Sequence, residues 1–215
     1  MHTEFYLVRH GQSESNVLKV FAGHSNPDLS PLGYDQGKVT AGFFKEQGLR
    51  PDAIYSSDLK RAYNTAVSTA EVFSMPIVED KGLREIFAGQ WEQESFDVLI
   101  ERFPDTYGVW KENIGCSHCD GGESALELQV RVVDTLTRIA KAHDGQKVFI
   151  FTHATPIRVL AAHCLNYAPE QFKDIPWATN ASVTKVVFEN GVFRMEEYSR
   201  DDFMGQMRSK MPANV

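Results

Sequence analysis

Glu4-Phe-Tyr-Leu-Val-Arg-His-Gly-Gln-Ser-Glu-Ser-Asn16 is the stretch on which the reading of the fold turns. Phe5 to Val8 is an unbroken apolar run, the pattern of a strand buried on both faces. The run ends by delivering a guanidinium and an imidazole, Arg9 and His10, into the turn at Gly11. Buried strands are costly places for charge, so Arg9 and His10 are expected at the strand's carboxyl end, facing a ligand crevice. An imidazole is a competent nucleophile toward phosphorus, and a guanidinium matches phosphate oxygens two at a time. The triplet alone is weak evidence, since three residues recur by chance and a strand-end histidine is commonly structural. Its weight comes from three other places in the chain.

Outward from this strand, a polar loop is expected to about Asp28, and Ser30-Pro31 then starts a helix reaching Gly48. Ala53 to Ser56 reads as a short strand, after which Asp58 is expected to cap a helix running to about Phe73. Ala62, Ala66 and Ala70 give that helix a small-residue face suited to close packing on a sheet. Pro76-Ile-Val78 is a further extended piece. Residues 90–122 are irregular, aromatic and acidic. A long helix is expected from Glu123 to His143, with Leu126, Val130, Val133 and Ala140 in period. Lys147 to Thr152 is a clear strand, a helix begins near Thr155-Pro156, and Glu189-Asn-Gly191 joins two strands, Ser182 to Phe188 and Val192 to Tyr198. The alternation predicts an α/β fold, a mostly parallel sheet covered on both faces with a late antiparallel pair.

With 215 residues the chain suffices for one large α/β domain, expected over residues 1–215 with an insertion at about 90–122. The net charge is −7 and no basic stripe is evident, which argues against nucleic acid as a partner. No apolar stretch approaches the roughly 20 residues of a membrane span, no membrane partner is expected, and the amino terminus lacks a basic-then-apolar signal segment. A cytoplasmic location is the expectation. Cys116, Cys119 and Cys164 are odd in number and suggest no disulfide framework. Cys116-Ser-His-Cys119 offers three soft ligands but no second cluster follows, so surface-loop cysteines are expected and a metal site is not.

Several polar groups fall where strands end. Arg9 and His10 follow the first strand and His153 follows Val148 to Thr152. Arg61 lies in the first turn of a helix, where free N–H groups favour an anion, and Glu85 follows the extended piece at Val78. A solvated Arg61 and a salt bridge between Glu85 and Arg84 are the competing readings. Ligands gather outside the carboxyl ends of parallel strands, so the topology is expected to bring these groups to one crevice.

Six blocks carry a resemblance. They are Leu7-Val-Arg-His-Gly-Gln-Ser-Glu-Ser-Asn16, Leu29-Ser-Pro-Leu-Gly33, Ser56-Ser-Asp-Leu-Lys-Arg61-Ala, Leu83-Arg-Glu85-Ile-Phe-Ala-Gly89-Gln-Trp-Glu, Gly121-Gly-Glu-Ser124 and Phe151-Thr-His153. In this order the chain, from Phe5 to about Leu165, resembles the histidine phosphatase superfamily, in the branch of cofactor-dependent phosphoglycerate mutase, α-ribazole phosphatase and fructose-2,6-bisphosphatase. The resemblance implies a three-layer α/β/α sandwich, no metal and no cofactor. It implies that His10 accepts a phosphoryl group from a monoester, that Arg9, Arg61 and His153 bind the phosphoryl oxygens, and that Glu85 is the general acid. Asn16 and the backbone at Gly23 are expected to bind the phosphate as well. One departure is Ala154, where many relatives have glycine after the second histidine; a methyl group is tolerated there unless the turn needs positive φ.

Gln90 to Glu123 is expected to form a lid. It holds two basic residues, Arg102 and Lys111, against eight acidic ones. It also carries Trp91, Phe96, Phe103, Tyr107 and Trp110, mostly for packing, with one or two available to line a pocket for an apolar or aromatic leaving group. The shortage of cations favours a phosphatase acting on a small phosphorylated metabolite over a phosphoglycerate mutase, which must grip a carboxylate. A phosphoprotein phosphatase and a non-catalytic binder of phosphate compounds are the remaining readings. A homodimer is left open.

Overall fold

The structure, a computed structural model, describes residues 1–209, so residues 210–215 of the expected domain lie outside the described residues. The strands are β1 (His2–Arg9), β2 (Ala53–Ser56), β3 (Ile77–Glu79), β4 (Lys147–Thr152), β5 (Val183–Glu189) and β6 (Val192–Arg200). They form one sheet in the order β3-β2-β4-β1-β5-β6. The first four strands are parallel, while β5 pairs antiparallel with β1 and β6 with β5. The β5–β6 hairpin turns at Asn190 and Gly191, both at positive φ (52° and 89°), as a turn matching the strand twist requires.

The helices are α1 (Glu14–Leu18), α2 (Pro31–Glu46), α3 (Lys60–Phe73), α4 (Phe96–Arg102), α5 (Tyr107–Glu112), α6 (Ala125–Ala142) and α7 (Ala154–Cys164). Alternate residues of the central strands face opposite layers. Phe5, Leu7, Val148 and Ile150 pack with Leu128, Val132 and Leu136 of α6 and Ile157 and Leu160 of α7. Tyr6, Val8, Phe149 and Phe151 pack with Phe43 and Phe44 of α2 and Ala66 of α3. The result is the expected α/β/α sandwich. Burying each such large side chain contributes about 1.5–3 kcal/mol, which anchors the strand ends that carry the polar groups.

Four local expectations are corrected. The stretch to Asp28 contains α1, started by a reciprocal cap: Ser13 Oγ accepts from Asn16 N (3.3 Å) and Asn16 Oδ1 from Ser13 N (3.1 Å). Asp58 does not cap α3, whose N-cap is Leu59 with no side-chain bond; its carboxylate is instead held by Arg84 through Nε (2.7 Å) and Nη2 (2.5 Å). A charge-assisted fork outcompetes a single N-cap bond. On α6 the buried stripe is Ala125, Leu128, Val132, Leu136, Ile139 and the expected Ala140, with Val133 packed at its edge, leaving Leu126 and Val130 exposed. Both sets satisfy the helical period, and the sheet selects the one beginning at the capped end. Cys119 is buried in the core rather than on a surface loop, while Cys116 is exposed.

Candidate active site

Strand register assembles the site. Arg9 pairs with Thr152, and Ser56 with Phe151, so His10, His153 and Ser57 each emerge just beyond neighbouring strand ends. The His10 and His153 rings meet edge-on, with centroids 5.2 Å apart. The crevice above them is lined by Arg9, His10, Asn16, Gly23, Arg61 and Glu85, among others. Four of the five expected catalytic side chains therefore line one cavity. The fifth, His153, is fully buried behind His10.

His10 Nδ1 lies 2.7 Å from the Gly11 carbonyl oxygen, an acceptor only, so Nδ1 carries the proton and Nε2 keeps a lone pair. Burial, with Arg61 and Arg9 close by, holds the ring well below the usual imidazole range. At neutral pH its ring is uncharged. Gly11 is required here, because a Cβ would strike the Gly33 backbone.

Arg61 is 1% exposed on the first turn of α3, which disposes of the solvated reading. It donates to the carbonyls of Ser25 (3.0 Å) and Gly23 (2.8 Å), and its Nε has no hydrogen-bond partner. Arg9 is buried as well and donates to the Ala178 carbonyl (2.5 Å). Burial lowers both guanidinium pKa values to about 10, and both remain cationic at neutral pH. No carboxylate forms an ion pair with Arg61 among the described residues. Two buried cations beside a neutral imidazole make a site for an anion.

Asn16 Oδ1 accepts from both Ser13 N and Asn180 Nδ2 (3.1 Å each), which fixes the amide so that its NH2 is the free end. Gly23 adopts φ +51°, and a Cβ there would collide with Glu92 and Ala88. Glu92 Oε1 accepts from the next amide, His24 N (2.7 Å), so this carboxylate pins the turn whose carbonyls hold Arg61.

Glu85 makes no ion pair with Arg84, which is committed to Asp58. Its carboxylate accepts from Ile86 N (2.9 Å) and Thr155 N (3.4 Å), and it lines the cavity. Arg131 of α6 donates to the carbonyls of Gly82, Arg84 and Glu85, fastening this segment to the helix. His153 Nε2 lies 2.9 Å from Ser57 Oγ, and its Nδ1 has no partner. Ser57 Oγ also accepts from Leu59 N (3.3 Å), and in the tautomer where the Ser57 hydroxyl donates to His153 Nε2, Nδ1 is the N–H side of the ring. Burial, reinforced by Arg61, holds His153 well below the usual range, so its ring is neutral rather than cationic at neutral pH. Ala154 is the first residue of α7 with no positive φ, and the methyl group is accommodated.

Sequence reasoning missed Ser57, Asn180, Glu92 and Arg131. Ser57 lay within the quoted Ser56-to-Ala62 block and Glu92 at the end of the Leu83 block. Asn180 sits in the loop before β5, where it also donates to the His10 carbonyl (3.1 Å), and no local pattern marks it. Among the described residues no group of three or more His, Cys, Asp or Glu is placed to hold a metal ion.

This fold and strand-end constellation define a class, and comparison with known proteins identifies it. The family model of the histidine phosphatase superfamily, branch 1, matches residues 5–201, and the chain belongs to that family. Phosphoserine phosphatase 1 of Hydrogenobacter thermophilus is 34% identical over 154 residues, covering 72% of each chain. The bifunctional protein Rv2228c of Mycobacterium tuberculosis is 34% identical over 158 residues, 74% of this chain but only 43% of its own length. The chain thus spans less than half of that relative. Among solved structures, Bacillus stearothermophilus YhfR superposes with a TM-score of 0.89 at 25% identity, covering 94% of this chain and 99% of that one. No helix among the described residues is long and apolar enough to cross a membrane.

Proposed function

We propose that the protein is a phosphatase that hydrolyses a small-molecule phosphomonoester through a phosphohistidine on His10, without a metal. The observation that carries this reading is His10 Nε2, left with its lone pair by the Nδ1 bond to Gly11 and flanked by two buried guanidinium groups. His10 Nε2 attacks phosphorus as the bond to the leaving oxygen breaks. Arg9, Arg61, the Asn16 amide, the Gly23 N–H and His153 Nδ1–H bind the phosphoryl oxygens, each such preorganised donor contributing about 10²–10³ in rate. Glu85 gives its proton to the leaving oxygen, then takes one from the water that attacks phosphorus and breaks the P–N bond.

Hydrolysis is preferred to a mutase reaction because neither lid cation reaches the cavity. Arg102 pairs with Glu94 at the surface, and Lys111 lines a separate surface groove. In this reading residues 90–122 are the lid of a single domain, contributing Phe96 and Trp110 to the cavity. Three unpaired cysteines fit a reducing compartment, and we place the protein in the cytoplasm.

The test is phosphate release from a panel of monoesters, run with and without EDTA and beside a mutase assay. We expect release from several esters, unchanged by EDTA. Activity that disappeared with the chelator and returned with zinc or magnesium would overturn the metal-free reaction.

A further inference from the structure

The phosphate-facing groups form only one part of the cavity. Beyond them, besides the small residues Ser13, Ala22, Ala154 and Thr155, the lining is Val20, Phe21, Phe96, Trp110 and Trp177. Phe21 is the centre of an interlocked aromatic wall, its ring 6.5 Å from Phe96 at 90° and 5.7 Å from Trp110 at 65°. The fully buried Trp91 stands against both Phe21 (5.6 Å) and Trp110 (5.7 Å). The backbone of Phe21 is pinned to the lid by Phe21 N to Glu94 O (2.9 Å) and Gln93 N to Phe21 O (2.8 Å). Trp177 is held from another direction, with the Arg158 guanidinium 4.2 Å from its ring centroid. Arg9 donates to the next carbonyl, Ala178, so the phosphate end and this part of the wall share one segment. Edge-to-face packing of this kind makes the wall preformed rather than adaptable.

Charge is as informative as shape. The charged side chains that line the cavity are Arg9, Arg61 and Glu85, and the proposed reaction uses all three. Arg158, a further cation in contact with a lining residue, is buried against Trp177 and donates to the Phe172 carbonyl (3.1 Å). A leaving group carrying a carboxylate or an ammonium would lose its hydration against indole and phenyl rings and gain no counter-charge. An apolar ring would lose nothing polar and would bury its surface against theirs.

We propose that the leaving group is an uncharged, apolar, ring-bearing alcohol, bound by Phe21, Phe96, Trp110 and Trp177, and that amino-acid and sugar-acid phosphates are rejected. This rests on the reading that phosphoryl transfer occurs at His10. The wall discriminates between esters, while the groups at the strand ends are common to all of them.

The experiment compares kcat/KM for 2-naphthylmethyl phosphate, ethyl phosphate, O-phosphoserine and 3-phosphoglycerate. Naphthylmethyl, ethyl and seryl esters all expel a primary alkoxide, so differences among them report binding rather than leaving ability. We expect the naphthylmethyl ester to exceed O-phosphoserine and 3-phosphoglycerate by about 10²-fold or more, with ethyl phosphate between. Phe96→Ala should cut the naphthylmethyl-to-ethyl ratio about tenfold, chiefly through KM. Phosphoserine or 3-phosphoglycerate turned over as well as the naphthylmethyl ester, or a ratio unmoved in Phe96→Ala, would overturn the proposal while leaving a phosphatase in place. Should no ester be hydrolysed, the phosphatase reading falls by itself. Binding then decides the wall by calorimetry: 2-naphthylmethylphosphonate tighter than 2-amino-3-phosphonopropionate supports it, and the reverse order removes it.

Discussion

The floor and the wall of the same cavity are built on opposite plans. The floor is polar, set at the ends of β1 and β4 and the start of α3, and its side chains are fixed by hydrogen bonds to backbone carbonyls. The wall is aromatic, drawn from the 20–21 segment, the lid helices and the loop before β5, and its rings are fixed by one another. A floor group acts on a charge that every phosphate ester brings, whereas a wall group acts on a part that differs from ester to ester. Damage to the floor should therefore cost rate on all substrates, and damage to the wall should reorder them.

The sharpest break comes at His10, the proposed nucleophile. His10→Ala should lower turnover by at least about 10⁴-fold on every ester alike, because the step that it removes is shared by all. The fold should survive, since His10 sits at a strand end and the core around Phe5 and Leu7 is untouched. Acid quenching destroys phosphohistidine, so wild-type enzyme should be trapped in base, with the label on His10. A variant that lost one ester and kept another would place His10 in the wall's category.

Glu85 tests the boundary between the two plans. In Glu85→Gln, esters with alkoxide leaving groups should slow by about 10²–10⁴-fold, while p-nitrophenyl phosphate, whose leaving group departs without a proton, should slow far less. Equal losses on the two would remove Glu85 as the acid. A purely structural part through Arg84 is already closed, because Arg84 is paired with Asp58 and not with Glu85. Circular dichroism of the variant would exclude a fold defect as the cause of either result.

The same contrast governs what could be read from the chain. The floor was legible because parallel strands put their ligand-binding groups immediately after apolar runs, and Arg9, His10 and His153 are marked by that adjacency. Arg61 was legible in part, because free N–H groups in a helix's first turn favour an anion, while its burial is a product of packing. The wall was only partly legible. Phe96 and Trp110 belong to a stretch dense in aromatics, and nothing local separates a cavity-facing ring from the buried Trp91 or Tyr107. Trp177 was invisible, since its place depends on Arg158 from a different helix. Ser57, Asn180 and Arg131 were missed for a related reason. They touch the floor through partners 46 to 170 residues away, and only strand register or helix packing reveals such pairs. Asp58 was misassigned because its N-cap position was the local choice, while Arg84, distant in sequence, was the stronger partner.

Acid should separate floor from wall with the smallest effect of the three. His10 and His153 are held neutral by burial and nearby arginines, with pKa values well below 6.5 in the folded chain. Once unfolded, both would return to about 6.5 and bind protons below it. The unfolded state then carries more protons, so stability is fully present above pH 6.5 and falls as pH drops. One unit below 6.5, each such histidine costs at most about 1.4 kcal/mol. Carboxylates such as Asp58, held low by Arg84, keep their contribution down to their unfolded values near 3.8, so they stay silent between pH 8 and 5.5. His163, also lowered by burial, adds to the wild-type slope and remains in every variant. Urea unfolding across that window should show wild type losing stability on acidification. His153→Gln should recover part of the loss at pH 5.5, up to about 1.4 kcal/mol, and Trp177→Leu, which alters only the wall, should leave the slope as it was. A slope unmoved by His153→Gln would mean that His153 is not held neutral in the folded protein, and its assignment as an uncharged donor at the floor would fall.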